Sequence, residues 1–144
     1  MKYIDLGLPS GNLWAECNIG ATSKEKYGKC LYYDTKYGEI PTREDFEELI
    51  THCDWVWTTL NKVNGYKVNG LNGNYIFLPA VGCGWGLDRL LEGERAMYWC
   101  STDGMKDGYG DYVSYNLTFD KNTRKVKLCD CYSKYAVRLI KTIK

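Results

Sequence analysis

The sequence predicts an α+β domain in which one or two short helices pack on antiparallel sheets. Only one segment, residues 41–53, repeats apolar residues at helical spacing. Several other segments are short, rich in β-branched and aromatic residues, and separated by Gly-containing turns, as in antiparallel sheets. No internal repeat or linker divides the 144 residues, so we expect a single domain spanning residues 1–144.

The two ends of the chain are both predicted to form strands. Residues 3–7 and 8–14 suit a short strand, a Pro/Gly turn and a second strand. Residues 135–140 suit a further strand. We therefore expect both ends of the chain to pair in one sheet.

An amphipathic helix is predicted between Pro41 and Cys53. Its apolar residues fall at i, i+3, i+4 and i+7, namely Phe46, Leu49, Ile50 and Cys53. Thr42 is a suitable N-cap, with Asp45 three residues later in a first turn where the helix dipole favours acidic groups. His52 is the only histidine and suits a helix end better than proton transfer.

A small antiparallel hairpin should follow the helix. Residues 55–60, 66–68 and 75–79 suit strands, and Asn64-Gly65 and Asn72-Gly73 suit the turns between them, because both positions of an Asn-Gly pair tolerate positive φ. The Gly-rich residues 82–94 are expected to form a loop.

The last third of the chain returns to strands, at residues 97–101, 112–119, 124–131 and 135–140. In the second of these, Val113, Tyr115, Leu117 and Phe119 alternate with Tyr112, Ser114, Asn116 and Thr118. This alternation predicts one packed face and one solvent-exposed face.

Composition favours a binding surface and disfavours two classes of partner. Thirteen Tyr and five Trp against three Phe favour rings that combine an apolar body with a polar tip, although antiparallel β-proteins also use many aromatics. A net charge of +1 disfavours nucleic acid and anionic membranes as partners. No signal peptide is visible, and no apolar run is long enough to enter a membrane unaided.

The seven cysteines show no repeating spacing. We expect mostly reduced, buried thiols that act as small hydrophobes. The alternative is a zinc site that combines Cys129 and Cys131 with His52 and Cys53. Structural zinc sites usually have wider gaps between paired thiolates, so no metal is predicted.

Long motifs resemble one known family. They are DLGLPSGNLWA at 5–15, CNIGA at 17–21, CDWVW at 53–57, NGNYIFLPAVG at 72–82 and YWCST at 98–102. These motifs closely resemble the FISUMP family (major paralogous domain), which is abundant in Bacteroidetes and their phages. The resemblance runs over most of the chain.

The resemblance implies a C-type-lectin-like fold, similar to that of formylglycine-generating enzymes and of variable receptor-binding proteins diversified by retroelements. In such proteins a C-terminal sheet and its loops present the ligand site. It implies a non-enzymatic module that binds a host or cell-surface glycan or protein receptor, from a virion or cell-surface position. The resemblance is also consistent with binding to other virion proteins and with assembly of the chain into a homotrimer.

Three departures from the related families narrow the function. The calcium-binding triplets of C-type lectins are absent, so we expect calcium-independent binding without a cofactor. The catalytic cysteine pair of formylglycine-generating enzymes is not recognisable. Cys129 and Cys131 are separated only by Asp130 and would point to the same face of a strand. The family's VRPV ending is replaced by residues 137–140, VRLI.

The candidate ligand-binding residues lie on the loops and outer face of the C-terminal sheet. They are Trp85, Asp103, Met105, Lys106, Asp107, Tyr109, Tyr112, Tyr132 and Tyr135. We interpret the other four tryptophans, Trp14, Trp55, Trp57 and Trp99, as scaffold residues. Arg138 is also interpreted as structural and is expected to clamp a carboxylate.

Two alternatives stay open. One is a structural virion decoration or docking domain. The other, less favoured, is an oxidoreductase of the formylglycine-generating type, which would depend on Cys129 and Cys131.

Overall fold

A computed structural model describes residues 2–85, 88–101, 113–130 and 134–143. Within these ranges the chain forms one α-helix, a short 3-10 helix at Thr35–Tyr37 and eleven strands in small antiparallel sheets. The prediction of an α+β fold is confirmed. The described part of the chain contains no helix long and apolar enough to cross a membrane.

The first sheet joins the two ends of the chain, as predicted. It contains β1 (Tyr3–Asp5), β2 (Leu13–Ala15) and β11 (Ile140–Lys141), in the order β1-β2-β11. The C-terminal strand is shorter than expected. Residues 135 and 136 instead form isolated bridges, to Leu31 and to Tyr98, because their main-chain partners lie outside the first sheet.

Helix α1 (Arg43–His52) has the predicted N-cap. The Thr42 side chain accepts a hydrogen bond from the Asp45 main-chain N–H, and the Asp45 carboxylate accepts one from the Thr42 N–H. This reciprocal capping box satisfies two donors that the first helical turn would otherwise leave unpaired. Phe46 and Leu49 are fully buried, with the Phe46 ring centroid 5.2 Å from that of Trp14.

The middle sheet contains β3 (Asp54–Leu60), β4 (Val63–Asn69) and β5 (Tyr75–Pro79). The prediction of a turn at Asn64-Gly65 is wrong, since both residues lie inside β4. The chain turns at Asn61 and Lys62, whose φ angles of 47° and 69° suit a two-residue hairpin loop. The prediction of a second turn at Asn72-Gly73 is confirmed, with φ of 91° at Gly73.

Gly65 is required for close packing and not for a turn. A Cβ at this position would lie 2.8 Å from Pro79 Cα and 2.9 Å from Phe77 Cζ, and would also meet the Leu78 carbonyl oxygen. The absence of a side chain therefore allows β4 and β5 to approach at this point.

Residues 82–94 do not form an irregular loop. They contain a two-stranded hairpin of β6 (Cys83–Trp85) and β7 (Asp88–Leu90). The C-terminal sheet follows, with β8 (Arg95–Trp99), β9 (Val113–Asp120) and β10 (Arg124–Asp130) in the order β10-β9-β8. Central strand β9 therefore has a partner on each edge.

The expectation of a solvent-exposed face on β9 is also wrong. Ser114, Asn116 and Thr118 are buried, as are Leu117 and Phe119 on the opposite face. Alternation of polar and apolar residues identified the strand correctly. It did not reveal that the polar side is covered as well.

Arg138 is fully buried and links several segments that are distant in sequence. Its guanidinium donates to Asn18 Oδ1 at 2.7 Å, Ala15 O at 3.1 Å, Glu16 O at 3.2 Å and Phe77 O at 2.7 Å. The partners are an amide and main-chain carbonyls, so the expectation of a carboxylate clamp is wrong. Burial lowers the pKa of Arg138, and these acceptors offset part of the cost of burying the charge.

Replacing Gly65 with Ala should destabilise the protein by about 2 kcal/mol, because overpacking forces two strands apart. Urea unfolding followed by tryptophan fluorescence measures the change. Gly11→Ala is the comparison for backbone strain without crowding, since a Cβ there meets nothing within 4 Å but φ is +78°, and it should cost only about 1 kcal/mol. Equal losses for the two variants would contradict the packing explanation.

Replacing Arg138 with Gln should cost about 3–5 kcal/mol of folding free energy, because buried acceptors lose their donors. The same unfolding measurement applies. Lys141→Gln, which removes an exposed cation of β11, should leave the urea midpoint almost unchanged. A small effect of the Arg138 substitution would show that water replaces the guanidinium easily.

Candidate functional site

Most of the predicted binding residues lie outside the described residues. These are Asp103, Met105, Lys106, Asp107, Tyr109, Tyr112 and Tyr132. Trp85 is the last residue of β6, but its side chain is not part of the described structure. The predicted patch can therefore be compared with the structure only at Tyr135.

Tyr135 does not lie on an exposed face, contrary to expectation. It is 5% exposed, and its ring centroid lies 4.5 Å from that of Trp99. Its main chain exchanges two hydrogen bonds with Leu31, at 2.8 and 3.0 Å. Tyr135 is thus a packing residue that fixes the segment around Leu31.

The scaffold interpretation of the tryptophans is confirmed for Trp14, Trp55 and Trp99, which are all buried. Trp57 differs because it is only partly buried. Its ring packs against Tyr66, with centroids 5.1 Å apart, and it also lines an open cleft. No pattern in the sequence separates Trp57 from Trp55, since both occupy the same short motif.

This cleft, here called the end cleft, lies where the C-terminal sheet meets the hairpin of β3 and β4. Its volume is about 560 Å³, within the range of small-molecule sites. It is lined by Trp57, Asn64, Leu91, Gly93, Glu94, Arg95, Asp120, Lys121 and Asn122. All of these residues are described, and none belongs to the patch predicted from the sequence.

Hydrogen bonds hold the walls of the end cleft. Asn64 accepts from Thr59 Oγ1 at 2.7 Å and donates from Nδ2 to Gly93 O at 3.1 Å. Tyr66 Oη donates to Asp120 O at 2.6 Å and so ties the β9–β10 turn to the middle sheet. The cleft is therefore built on anchored backbone.

Leu91 adds local backbone strain at the same place. Its φ of 64° lies in the left-handed region, which residues other than Gly rarely adopt. Its side chain is 44% exposed although it is apolar. Strained backbone of this kind persists only where surrounding contacts hold it, and it is frequent at ligand sites.

The Asp120 carboxylate is ionised and held in place at the end cleft. Hydrogen bonds from the main-chain N–H groups of Asn122 and Thr123 lower the pKa of Asp120, and the positive charge of Arg95 lowers it further. Arg95 and Asp120 face each other across β8 and β9.

Arg95 has a buried Nε that makes no hydrogen bond to any described residue. A buried polar atom without a partner is uncommon and costs free energy. With Glu94, Asp120 and Lys121, the end cleft carries two negative and two positive side chains.

A second unpartnered donor lies in the covered polar face of β9. Thr118 Oγ1 donates to Asn116 Oδ1 at 2.6 Å, while the buried Asn116 Nδ2 bonds no acceptor among the described residues. Asn116 pairs with Trp99 on one side and Lys127 on the other. The C-terminal sheet thus retains polar groups in its interior as well as at its end.

The described residues include no group of three or more His, Cys, Asp or Glu that could hold a metal ion. The alternative zinc site needs Cys129 and Cys131, whose side chains lie outside the described residues. Cys100 is buried, as expected, whereas the free thiols Cys17, Cys53 and Cys83 are only half-buried. Burial is the main cause that raises the pKa of Cys53 to about 11, with a contribution from Glu48.

Comparison with known proteins finds no matching family model, no matching curated protein and no matching solved structure.

Cys53 should react slowly with iodoacetamide at pH 8, because a pKa raised to about 11 leaves almost all of the thiol protonated. Its alkylation rate, followed by peptide mass spectrometry, should be at least about tenfold below that of N-acetylcysteine and should rise steadily towards pH 10. The urea-unfolded chain is the control and should react at the rate of the small thiol. Equal rates for folded and unfolded chains would contradict the burial explanation.

Proposed function

We propose that the chain is a non-enzymatic, C-type-lectin-like binding module of the FISUMP type that recognises a sugar residue of a surface glycan. The residues that carry the family resemblance support this proposal by their positions. Leu6, Trp14, Trp55 and Trp99 all lie in the hydrophobic core. The shared motifs thus correspond to scaffold positions, which is the pattern of a family whose members differ in their ligands.

The observation that carries the proposal is the end cleft. It brings an indole ring, two carboxylates, a guanidinium and an ammonium group to one open site. A sugar residue presents an apolar C–H face and a rim of hydroxyl groups. Such a ligand can place its apolar face against Trp57 while its hydroxyls bond the polar groups.

Charge balance narrows the ligand class further. The two acidic and two basic side chains of the cleft cancel, which favours a neutral ligand over an anionic polymer. Hydroxyl groups both donate and accept, so one neutral sugar can satisfy Glu94 and Asp120 as well as Arg95. We therefore propose a neutral hexose or N-acetylhexosamine.

The module functions from a virion or cell-surface position, where such glycans are accessible. Calcium has no role in this proposal, because the ligand is held by side-chain donors and acceptors and by an aromatic ring. The binding residues predicted from the sequence, among them Trp85, Asp103 and Tyr109, are proposed to add contacts to a larger glycan or to a protein receptor.

Glycan-array binding tests the proposal. Arg95→Met and Trp57→Leu should each weaken binding to the best array ligand at least about tenfold, since a bond to a charged group contributes roughly 1.5–3 kcal/mol. Lys125→Gln on β10 and Val56→Thr on β3 are controls that alter exposed residues outside the lining of the cleft. Both should bind like the unaltered protein, and thermal unfolding confirms that each variant is folded.

Substitutions in the predicted patch distinguish the two parts of the proposal. If Trp85→Ala and Tyr109→Ala abolish binding while Arg95→Met does not, the chain is a binding module but the end cleft is not its site. Absence of binding to any array glycan, together with binding to a purified capsid or tail protein, would favour the structural docking alternative.

A further inference from the structure

A second cleft, here called the edge cleft, lies between the free edges of two different sheets. One edge belongs to β1 and the other to β5, since each is the outer strand of its sheet. The cleft has a volume of about 480 Å³. Its lining includes the consecutive residues 2–5 and 73–77, so main chain forms much of its walls.

The two strand edges are close together at one end of the cleft and separate towards the other end. At the closed end, Leu71 N–H donates directly to Leu6 O at 2.9 Å. One residue further, the Asn72 and Asn74 side chains span the gap, and each Nδ2 donates to Asp5 O at 2.9 Å. Beyond this point the edge cleft opens.

The pairing of β1 fixes which of its main-chain groups face the cleft. Glu16 N–H donates to Lys2 O at 2.9 Å, so Lys2 is a hydrogen-bonded position of the antiparallel pair. Such positions alternate along the strand. Ile4 therefore bonds β2, whereas Tyr3 and Asp5 direct their N–H and C=O groups towards β5, as the bonds to Asp5 O confirm.

The pairing of β5 with β4 likewise shows which main-chain groups of β5 face the cleft. Gly70 N–H donates to Asn74 O at 2.7 Å, and Ala80 N–H donates to Asn64 O at 2.8 Å. The positions between them alternate, so Tyr75 and Phe77 direct their main-chain groups into the cleft. Arg138 already occupies Phe77 O.

The remaining groups are unused within the described structure. Neither the main chain of Tyr3 or Tyr75 nor the Phe77 N–H bonds a described residue across the cleft. Unpaired strand edges of this kind are templates for a further strand. Two such edges facing one cleft can bond both sides of a single extended chain.

Two lysine side chains lie beside Tyr75, although Asp5 and Glu16 also line the edge cleft and balance Lys2 and Lys24 in its lining. Lys24 Nζ donates to Tyr75 Oη at 2.7 Å, and this bond is the main cause that raises the pKa of Lys24. Lys67 Nζ lies 4.6 Å from the centroid of the same ring. No described carboxylate forms an ion pair with either ammonium.

We propose that the edge cleft binds a short extended peptide of a partner protein, which adds a strand between β1 and β5 and places an acidic side chain near Lys24 and Lys67. Only an extended main chain offers donors and acceptors that alternate towards both edges. This site is independent of the end cleft and of glycan binding, because it lies between different strands.

Titration with three synthetic peptides, followed by two-dimensional NMR, tests the proposal. The probe is acetyl-Thr-Val-Glu-Val-Thr-amide. The second peptide has Gln in place of Glu, and the third has N-methyl groups on both Val residues. The probe should shift the amide signals of Tyr3, Tyr75 and Phe77 and slow their hydrogen exchange at least about tenfold, because each N–H gains an acceptor.

The two comparison peptides and one pair of variants separate the contributions. The N-methylated peptide should bind at least about tenfold more weakly, because it lacks the two Val N–H donors that face one of the edges. Lys24→Ala should weaken the Glu peptide more than the Gln peptide, and Lys26→Ala, on the same segment, should affect neither. No change at the three amides, or equal binding of the N-methylated peptide, would overturn the proposal whatever the glycan experiments show.

Discussion

The burial of one guanidinium is the constraint on which the rest of the structure depends. Arg138 donates to carbonyls at the end of β2, to Asn18 and to the free edge of β5. A charged group in the interior is tolerated because it satisfies all of these acceptors at once, and its removal would leave several buried polar groups unpaired. Arg138 thus joins the first and middle sheets, together with the hydrogen bonds from Leu71, Asn72 and Asn74 to Leu6 and Asp5.

Aromatic packing joins the middle sheet to the C-terminal sheet. Tyr66 contacts Trp55, Trp57 and Phe119 edge-on, with centroids between 5.1 and 5.3 Å apart. Edge-to-face pairs restrict the angle between rings as well as their distance. The Tyr66 hydroxyl extends this restriction to the β9–β10 turn through Asp120 O. The end cleft is therefore bounded by two sheets that cannot easily shift relative to each other.

Local signals predicted local structure well. The spacing of Phe46 and Leu49 and the Thr42–Asp45 pair identified the helix and its cap, because both depend on residues within one or two turns. Asn64-Gly65 misled because the same pair also suits a strand position where two backbones touch. Nothing local to Gly65 indicates the presence of Leu78 and Pro79.

The candidate site was harder to predict than the fold. The end cleft combines residues from β3, from the segment before β8 and from the turn after β9, which only the tertiary structure brings together. The opposite error concerns Tyr135, which was predicted to lie in the binding site. Its ring instead packs on Trp99. The polar side of β9 was likewise interpreted by strand periodicity alone, which cannot indicate what covers a face.

The pairing of both chain ends in one sheet has a consequence for how the protein folds. Arg138 and Asn18 are 120 residues apart, and β2 needs β11 to complete its outer edge. During synthesis, the first fifteen residues are made long before their partners leave the ribosome. Until β11 is made, the edge of β2 that it covers stays unpaired. Closing a loop of this length makes the docking of β11 onto β2 a late and slow step. The open edge of β2 is therefore exposed to other chains until β11 has been made and has docked.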